Sequence, residues 1–433
     1  MPNPTARRAD PPRDASPGER LKARALALGF DAAGIARVEP LEAIGRYEAW
    51  LAAGRHGDMA WLANDKHRSR RADPARLLAG IRSVLCVALA YPPAREEALD
   101  ARVGRIARYA AGEDYHALMK EKLGALEDWI RAELLPGSGS LWYSDTGAIL
   151  ERGWAERAGL GWIGKHSGLL SPARGSYFLL GEVLMDRDLE PDAPLAGEHC
   201  GTCTRCLDQC PTNAIVAPYQ VDARLCISYL TIELRGPIPR ELRPLVGDWI
   251  FGCDVCQEVC PWNRFAPPAR EARLHARELE GWTLERFLAL DEPGFRELFA
   301  TSPIRRADRE GFLRNVCVAL GNRGQAAALT ALARSLAHDP SPLVRGHAAW
   351  AIGRIAAAAG LATADGPAAG FDRARHDRTD NGPAGGDAGN GSRTVDAGGA
   401  IHERANAVLR AAEHDDSTFV REEATLALAG VRA

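Results

Sequence analysis

Eight of the ten cysteines in this 433-residue chain fall between positions 200 and 260. In Cys200-x-x-Cys203-x-x-Cys206-x-x-x-Cys210-Pro211, three thiolates can wrap one face of a 4Fe–4S cube. The fourth, ahead of proline, turns away to a second cube. An altered copy follows at Cys253-x-x-Cys256-x-x-x-Cys260-Pro261, with Ile250 where a full copy would carry cysteine. Cys226 is the spare thiol nearby and is assigned to that vacancy. The crossover then pairs Cys200, Cys203, Cys206 and Cys260 as cluster one, and Cys210, Cys226, Cys253 and Cys256 as cluster two. Structural zinc also takes four cysteines at this spacing, and the Cys-Pro ending of both runs argues against it. Cys86 and Cys317 stand alone in apolar stretches and read as buried thiols.

A second concentration of chemistry lies at 141–168, LWYSDTGAILERGWAERAGLGWIGKHSG. Asp145 follows a short strand; it could donate a proton if burial or an anionic neighbour raises its pKa. On spacing alone, a helix cap or turn is the commoner role for such an aspartate. Gly159, Gly161, Gly164 and Gly168 make a loop that backbone N–H groups could press against a ligand. Lys165 and His166 sit at its tip. Trp154 and Trp162 read as core. Upstream, Arg105 to His116 is polar and turn-like, and His116 by itself reads as a surface or satisfied histidine. Arg68, Arg70 and Arg71 read as a solvated charged face. Trp50 and Trp61 flank a turn and read as packing.

These groups need elements to hold them. A helix is expected from Glu19 to Gly29, then a turn and strand through GFDAAGIARV. Tyr47–Leu62 reads as one helix, Arg82–Tyr91 as a buried strand, 115–135 as a helix, and Leu141–Ser144 and Tyr177–Met185 as strands. This mixture predicts an α+β or α/β catalytic domain over 19–195, with parallel and mixed sheets both open. Residues 196–265 form the two-cluster, ferredoxin-like region. Residues 266–356 read as a helical linker and first repeat, and 400–433 as the last repeat. HDPSPLVRGHAAWAIG and HDDSTFVREEATLALAG share one pattern, which suggests HEAT-like helical units. Residues 1–18 and 357–399 read as disordered; the latter holds ten of the 43 glycines.

Lys and Arg total 54 against 57 Asp and Glu, a net charge of -3, which excludes a protein that holds nucleic acid by bulk positive charge. The longest apolar run, Ser83–Tyr91, is too short to span a membrane. The N-terminal residues lack the apolar core of a secretion signal, so a cytoplasmic protein is expected.

The segments RYAAGEDYHALM, SDTGAILERGWAERAGLGWIGKHS and CISYLTIELRGPIP, with both cysteine runs, closely resemble the epoxyqueuosine reductase family. The resemblance runs from about residue 19 to 320. It implies reduction of epoxyqueuosine to queuosine at the wobble position of a tRNA with a GUN anticodon. It also implies cobalamin beside the two clusters, an electron donor that the sequence does not name, and a monomer. Asp145 matches the family's proton donor. Arg71, Tyr109, His116 and the loop Gly164, Lys165, His166 and Ser167 fall in segments resembling its cobalamin contacts. Neither Asp65-x-His67 nor Asp114-x-His116 continues into D-x-H-x-x-G, so the cobalamin should be base-off without a histidine lower ligand. Arg305, Arg306, Arg309 and Arg314 are the candidate tRNA phosphate contacts. The competing readings are a reductive dehalogenase-like enzyme acting on a small molecule and a ferredoxin-type electron carrier.

Overall fold

The computed structural model describes residues 15–91, 104–275, 282–364 and 393–432. Its first helix, α1 (Pro17–Ala27), starts at a capping box in which Ser16 and Glu19 satisfy each other's backbone N–H groups. The helix therefore begins inside the stretch expected to be disordered; residues 1–14 lie outside the described residues.

Four strands form the central sheet: β1 (Ala32–Arg37), β2 (Ser83–Ala90), β3 (Ser140–Tyr143) and β4 (Phe178–Met185). Their order is β1-β2-β4-β3, and every neighbouring pair is antiparallel. This settles the open question of sheet type: the domain is α+β. Every residue of β2 is buried because both faces are covered. On one face Leu85, Val87 and Leu89 pack with Leu21 of α1 and with Leu118 and Leu123 of α4 (Tyr115–Trp129). On the other, Val84, Cys86 and Ala88 meet Trp154 and Ala155 of α5 (Glu151–Arg157). A strand covered on both faces reads as a continuous apolar run, which is why β2 was visible in the sequence.

The helix expected over Tyr47–Leu62 is broken. The segment α2 (Ala43–Ala52) ends, and a short turn of helix resumes at Ala60–Ala63. Gly54 and Gly57 between them take φ of 63° and 57°, conformations that a helix cannot continue through. A Cβ on Gly57 would lie 2.5 Å from the Tyr229 hydroxyl, which accepts a hydrogen bond from the Asp58 N–H at 2.8 Å. After this break comes α3 (Asp65–Ala72).

The C-terminal part consists of α6 (Asp308–Arg323), α7 (Leu329–His338), α8 (Pro342–Ala364), α9 (Arg393–Ala412) and α10 (Thr418–Arg432). The long α8 packs against the other four. The stretch 357–399, expected to be disordered, is helical at both ends, since α8 runs to Ala364 and α9 starts at Arg393. Residues 365–392 lie outside the described residues. One apolar core joins Ile227–Phe251 of the cysteine region to α6, α8 and α10, so packing does not follow a boundary at residue 265. Buried Arg243 ties the two parts, bonding Glu423 of α10 at 2.9 and 2.8 Å. Among the described residues no helix is long and apolar enough to cross a membrane.

Candidate active site

A cleft of about 2260 Å³ opens between the sheet domain, the cysteine region and the segment leading into α6. Its walls include Cys210, Cys226, Cys253 and Cys256, together with Asp145, His116 and Tyr109. None of the ten cysteines is in a disulfide. Burial, then the neighbouring Cys226, Cys253 and Cys210, push the Cys256 thiol well up. Burial, then Cys260, Cys200 and Cys203, push Cys206 up to about 11. The thiols that act on one another are therefore the two groups the crossover rule pairs, and it is the second group that faces the cleft. Among the described residues no three His, Cys, Asp or Glu side chains gather to hold a metal ion. A cube with four corner irons asks for thiols set wider apart than one ion does. Short helices at Arg205–Asp208 and Val255–Glu258 carry a cysteine from each run and pack together. Cys86 and Cys317 are fully buried, and neither lines the cleft.

Across the cleft, Asp114 caps the N-terminus of α4 by accepting the His116 N–H at 3.0 Å. The same Oδ1 lies 2.7 Å from His116 Nδ1. The other ring nitrogen, Nε2, reaches Asp145 Oδ2 at 3.2 Å, and the Tyr115 hydroxyl donates to that oxygen at 2.8 Å. Asp145 follows β3 with φ 60°, and its backbone N–H donates to Glu151 Oε1 at the start of α5. The condition set for Asp145 to act as an acid by itself, a pKa raised by burial or an anion, is not met. The His116 hydrogen bond, with Tyr115 added, outweighs burial and lowers it. Asp114 and then Asp145 instead raise His116 to about 9. The available proton near neutral pH therefore sits on the imidazole. Pattern alone gave no sign of this role for His116.

The remaining expected contacts divide. Arg71, Tyr109, His166 and Ser167 line the cleft. Arg71 Nη1, His166 Nε2, Ser167 Oγ and Trp162 Nε1 are buried there without a hydrogen-bond partner among the described residues. Trp162 is thus not simply core. Burial holds His166 neutral, with its pKa down at about 4. Its Nδ1 accepts the Gly168 N–H at 3.0 Å, which leaves the proton on Nε2. Gly164 and Lys165 are not among the lining residues. Gly164 is needed for close packing, since a Cβ there would stand 2.6 Å from Leu170. Lys165 turns to the cluster-one loop and donates to the carbonyls of Gly201 at 2.5 Å and Cys203 at 3.2 Å.

Of the four arginines, only Arg305 and Arg306 line the cleft. Arg309 and Arg314 are 8% and 1% exposed, which corrects their expected place on a phosphate-binding face. Arg309 pairs with Asp339 at 2.6 Å. Arg314 donates to the carbonyls of Leu230, Leu234 and Gly236. Trp61, expected to pack, is 39% exposed, with the Arg306 guanidinium 5.6 Å from its ring centre. Tyr115 and Glu151 in the cleft, and Glu182 behind it, went unread in the sequence. The signal for Glu182 was a single carboxylate inside the apolar run FLLGEVLM.

Comparison with known proteins places this geometry. Residues 199–263 match the family model described as 4Fe-4S double cluster binding domain. Residues 71–146, which carry Arg71, His116 and Asp145, match the model described as Epoxyqueuosine reductase QueG, DUF1730. The epoxyqueuosine reductase of Xanthomonas campestris pv. campestris is 44% identical over 339 residues, covering 77% of this chain and 94% of its own. The chain belongs to the epoxyqueuosine reductase family. Its curated relatives are oxidoreductases acting in tRNA modification. Among solved structures, an epoxyqueuosine reductase with an epoxyqueuosine-modified tRNA-Tyr stem loop matches with TM-score 0.78 at 28% identity, covering 96% of this chain and 98% of that one. The epoxyqueuosine reductase from Bacillus subtilis, determined with its catalytic aspartate loop swung out of the active site, matches with TM-score 0.78 at 28% identity over 95% and 98% of the two chains.

Proposed function

We propose that this epoxyqueuosine reductase converts epoxyqueuosine to queuosine at the wobble position of a GUN-anticodon tRNA, with two 4Fe–4S clusters and base-off cobalamin. The observation that carries the reading is that the cluster-two thiols and the His116–Asp145 pair line one cleft. Removing the epoxide oxygen as water consumes two electrons and two protons. The first cysteine group, near the Lys165 ammonium, receives electrons from outside; the second delivers them into the cleft.

The unpartnered donors of Arg71, Trp162, His166 and Ser167 suit the amide carbonyls around a corrin ring. His166, with its proton on Nε2, is a donor there and not a ligand to cobalt, in keeping with base-off binding. When bound, cobalamin supplies a redox centre between the second cluster and the substrate. Imidazolium His116 passes its proton to the Asp145 carboxylate, which delivers it to the oxygen leaving the epoxide, and the same pair, reprotonated from solvent through the open cleft, supplies the second proton of the water. Asp114 orients the imidazole throughout. Arg305 and Arg306, beside Trp61, meet the anticodon loop, where splayed bases and phosphates are recognised by stacking and charge. We read α6–α10 as HEAT-like repeats extending this surface.

Nucleoside analysis of epoxyqueuosine-bearing tRNA, after incubation with the reconstituted protein, reductant and cobalamin, tests the reading. Queuosine is the expected product. Epoxyqueuosine that persists although both clusters are intact overturns it.

A further inference from the structure

A non-glycine residue at φ 60°, as Asp145 is, is strained and persists only where its surroundings hold it. The hold on its backbone is Glu151, whose Oε1 accepts the Asp145 N–H. Behind Glu151 stands Glu182, on the α5 face of β4 and opposite Cys86 in register. Glu182 is 0% exposed, and neither of its carboxyl oxygens meets a hydrogen-bond donor.

An ionised Glu182, walled off from water and without a donor, beside an ionised Glu151 in the cleft wall, would be a buried charge facing a like charge. A single proton removes the conflict. Carried on Glu182, it is donated to Glu151, and Glu151 keeps an oxygen free to accept the Asp145 N–H. The neighbours favour that state. Burial, then Glu151 and Asp145, all push Glu182 up. Burial, then the Asp145 charge, push Glu151 up, against weaker opposing pulls from the Asp145 N–H bond, Arg152 and Glu182. Cys86 stays a neutral thiol, held so by burial and both carboxyls. Arg152 is itself engaged with the Ser167 carbonyl.

We propose that Glu151 and Glu182 are positioning residues for Asp145, a carboxyl pair that shares one proton and latches the Asp145 loop into the cleft. No proton leaves the pair during turnover. The inference rests on the reading of Asp145 as the acid, and its test includes a readout that does not depend on that reading.

The test compares Glu182→Gln with Glu182→Leu by hydrogen exchange of the 144–150 segment and by kcat and KM for tRNA. The glutamine amide still donates to Glu151, so it should keep both readouts within about twofold of the parent protein. Leucine removes the donor; loop exchange should rise at least tenfold and kcat fall about a hundredfold, with KM unchanged. Unchanged exchange in Glu182→Leu overturns the latch, as does equal damage from both variants, which would mean packing alone. Should Glu182→Leu not fold, Glu151→Ala must raise loop exchange, and an unchanged loop there overturns the proposal. If Asp145→Asn proves fully active, Asp145 is not the acid, while the exchange comparison still decides the latch.

Discussion

His116 Nε2 stands 3.2 Å from Asp145 Oδ2, and this contact, added to Asp114 at 2.7 Å from Nδ1, holds the proton on the imidazole. The histidine pKa is raised from 6.5 to about 9 by Asp114 and then Asp145. The sign follows from the direction. Stability and acid supply from this group are complete below pH 6.5 and are lost as the pH rises through about 9. We expect single-turnover rates to fall on that alkaline limb, and the limb to vanish in His116→Gln. A limb that survives in His116→Gln assigns it to another group.

Replacing Asp145 by Asn keeps the shape and removes the acid. Turnover should fall by about 10²–10⁴, while equilibrium binding of cobalamin and tRNA persists. Titration of the corrin absorbance and tRNA mobility shifts would check both. Full turnover would remove Asp145 from the reaction.

The cysteine assignment makes an analytical prediction. Parent protein reconstituted without oxygen should hold about eight irons, and Cys226→Ala about four. Cys86→Ala, which removes a thiol buried outside both groups, should still hold about eight. Iron and sulfide assays distinguish these outcomes.

The arginines separate by burial. Arg306→Ala should weaken tRNA binding and lower the slope of log K against log salt by roughly 0.7–0.9, the share of one phosphate contact. Arg314→Ala should leave that slope alone and lower Tm, because the guanidinium satisfies three backbone carbonyls inside the protein.

Glu423 pairs with Arg243 at 5% and 2% side-chain exposure. Glu423→Ala strands a buried guanidinium and should destabilise the protein by about 3–5 kcal/mol. Denaturant unfolding followed by circular dichroism measures it. A loss below 1 kcal/mol would show that Arg243 finds water or another partner.

The sequence by itself determined what depends on local spacing. Seven of the eight clustered cysteines sit in two short runs, so a two-cluster region was legible. Strand β2 and helix α4 were legible because their burial is written as an apolar run and a helical period. The family resemblance pointed to Asp145 and to its cleft. Only the tertiary structure decided relations between segments distant in the chain. The antiparallel order of the sheet depends on the pairing of 83–90 with 178–185. Arg309 and Arg314 looked like Arg305 and Arg306 in a basic stretch, and the turn of α6 into the core separated them. Whether Asp145 or His116 holds the proton was undecidable from type and spacing. It depends on an angström-scale contact between residues 29 positions apart, since electrostatic coupling follows distance through space and not along the chain.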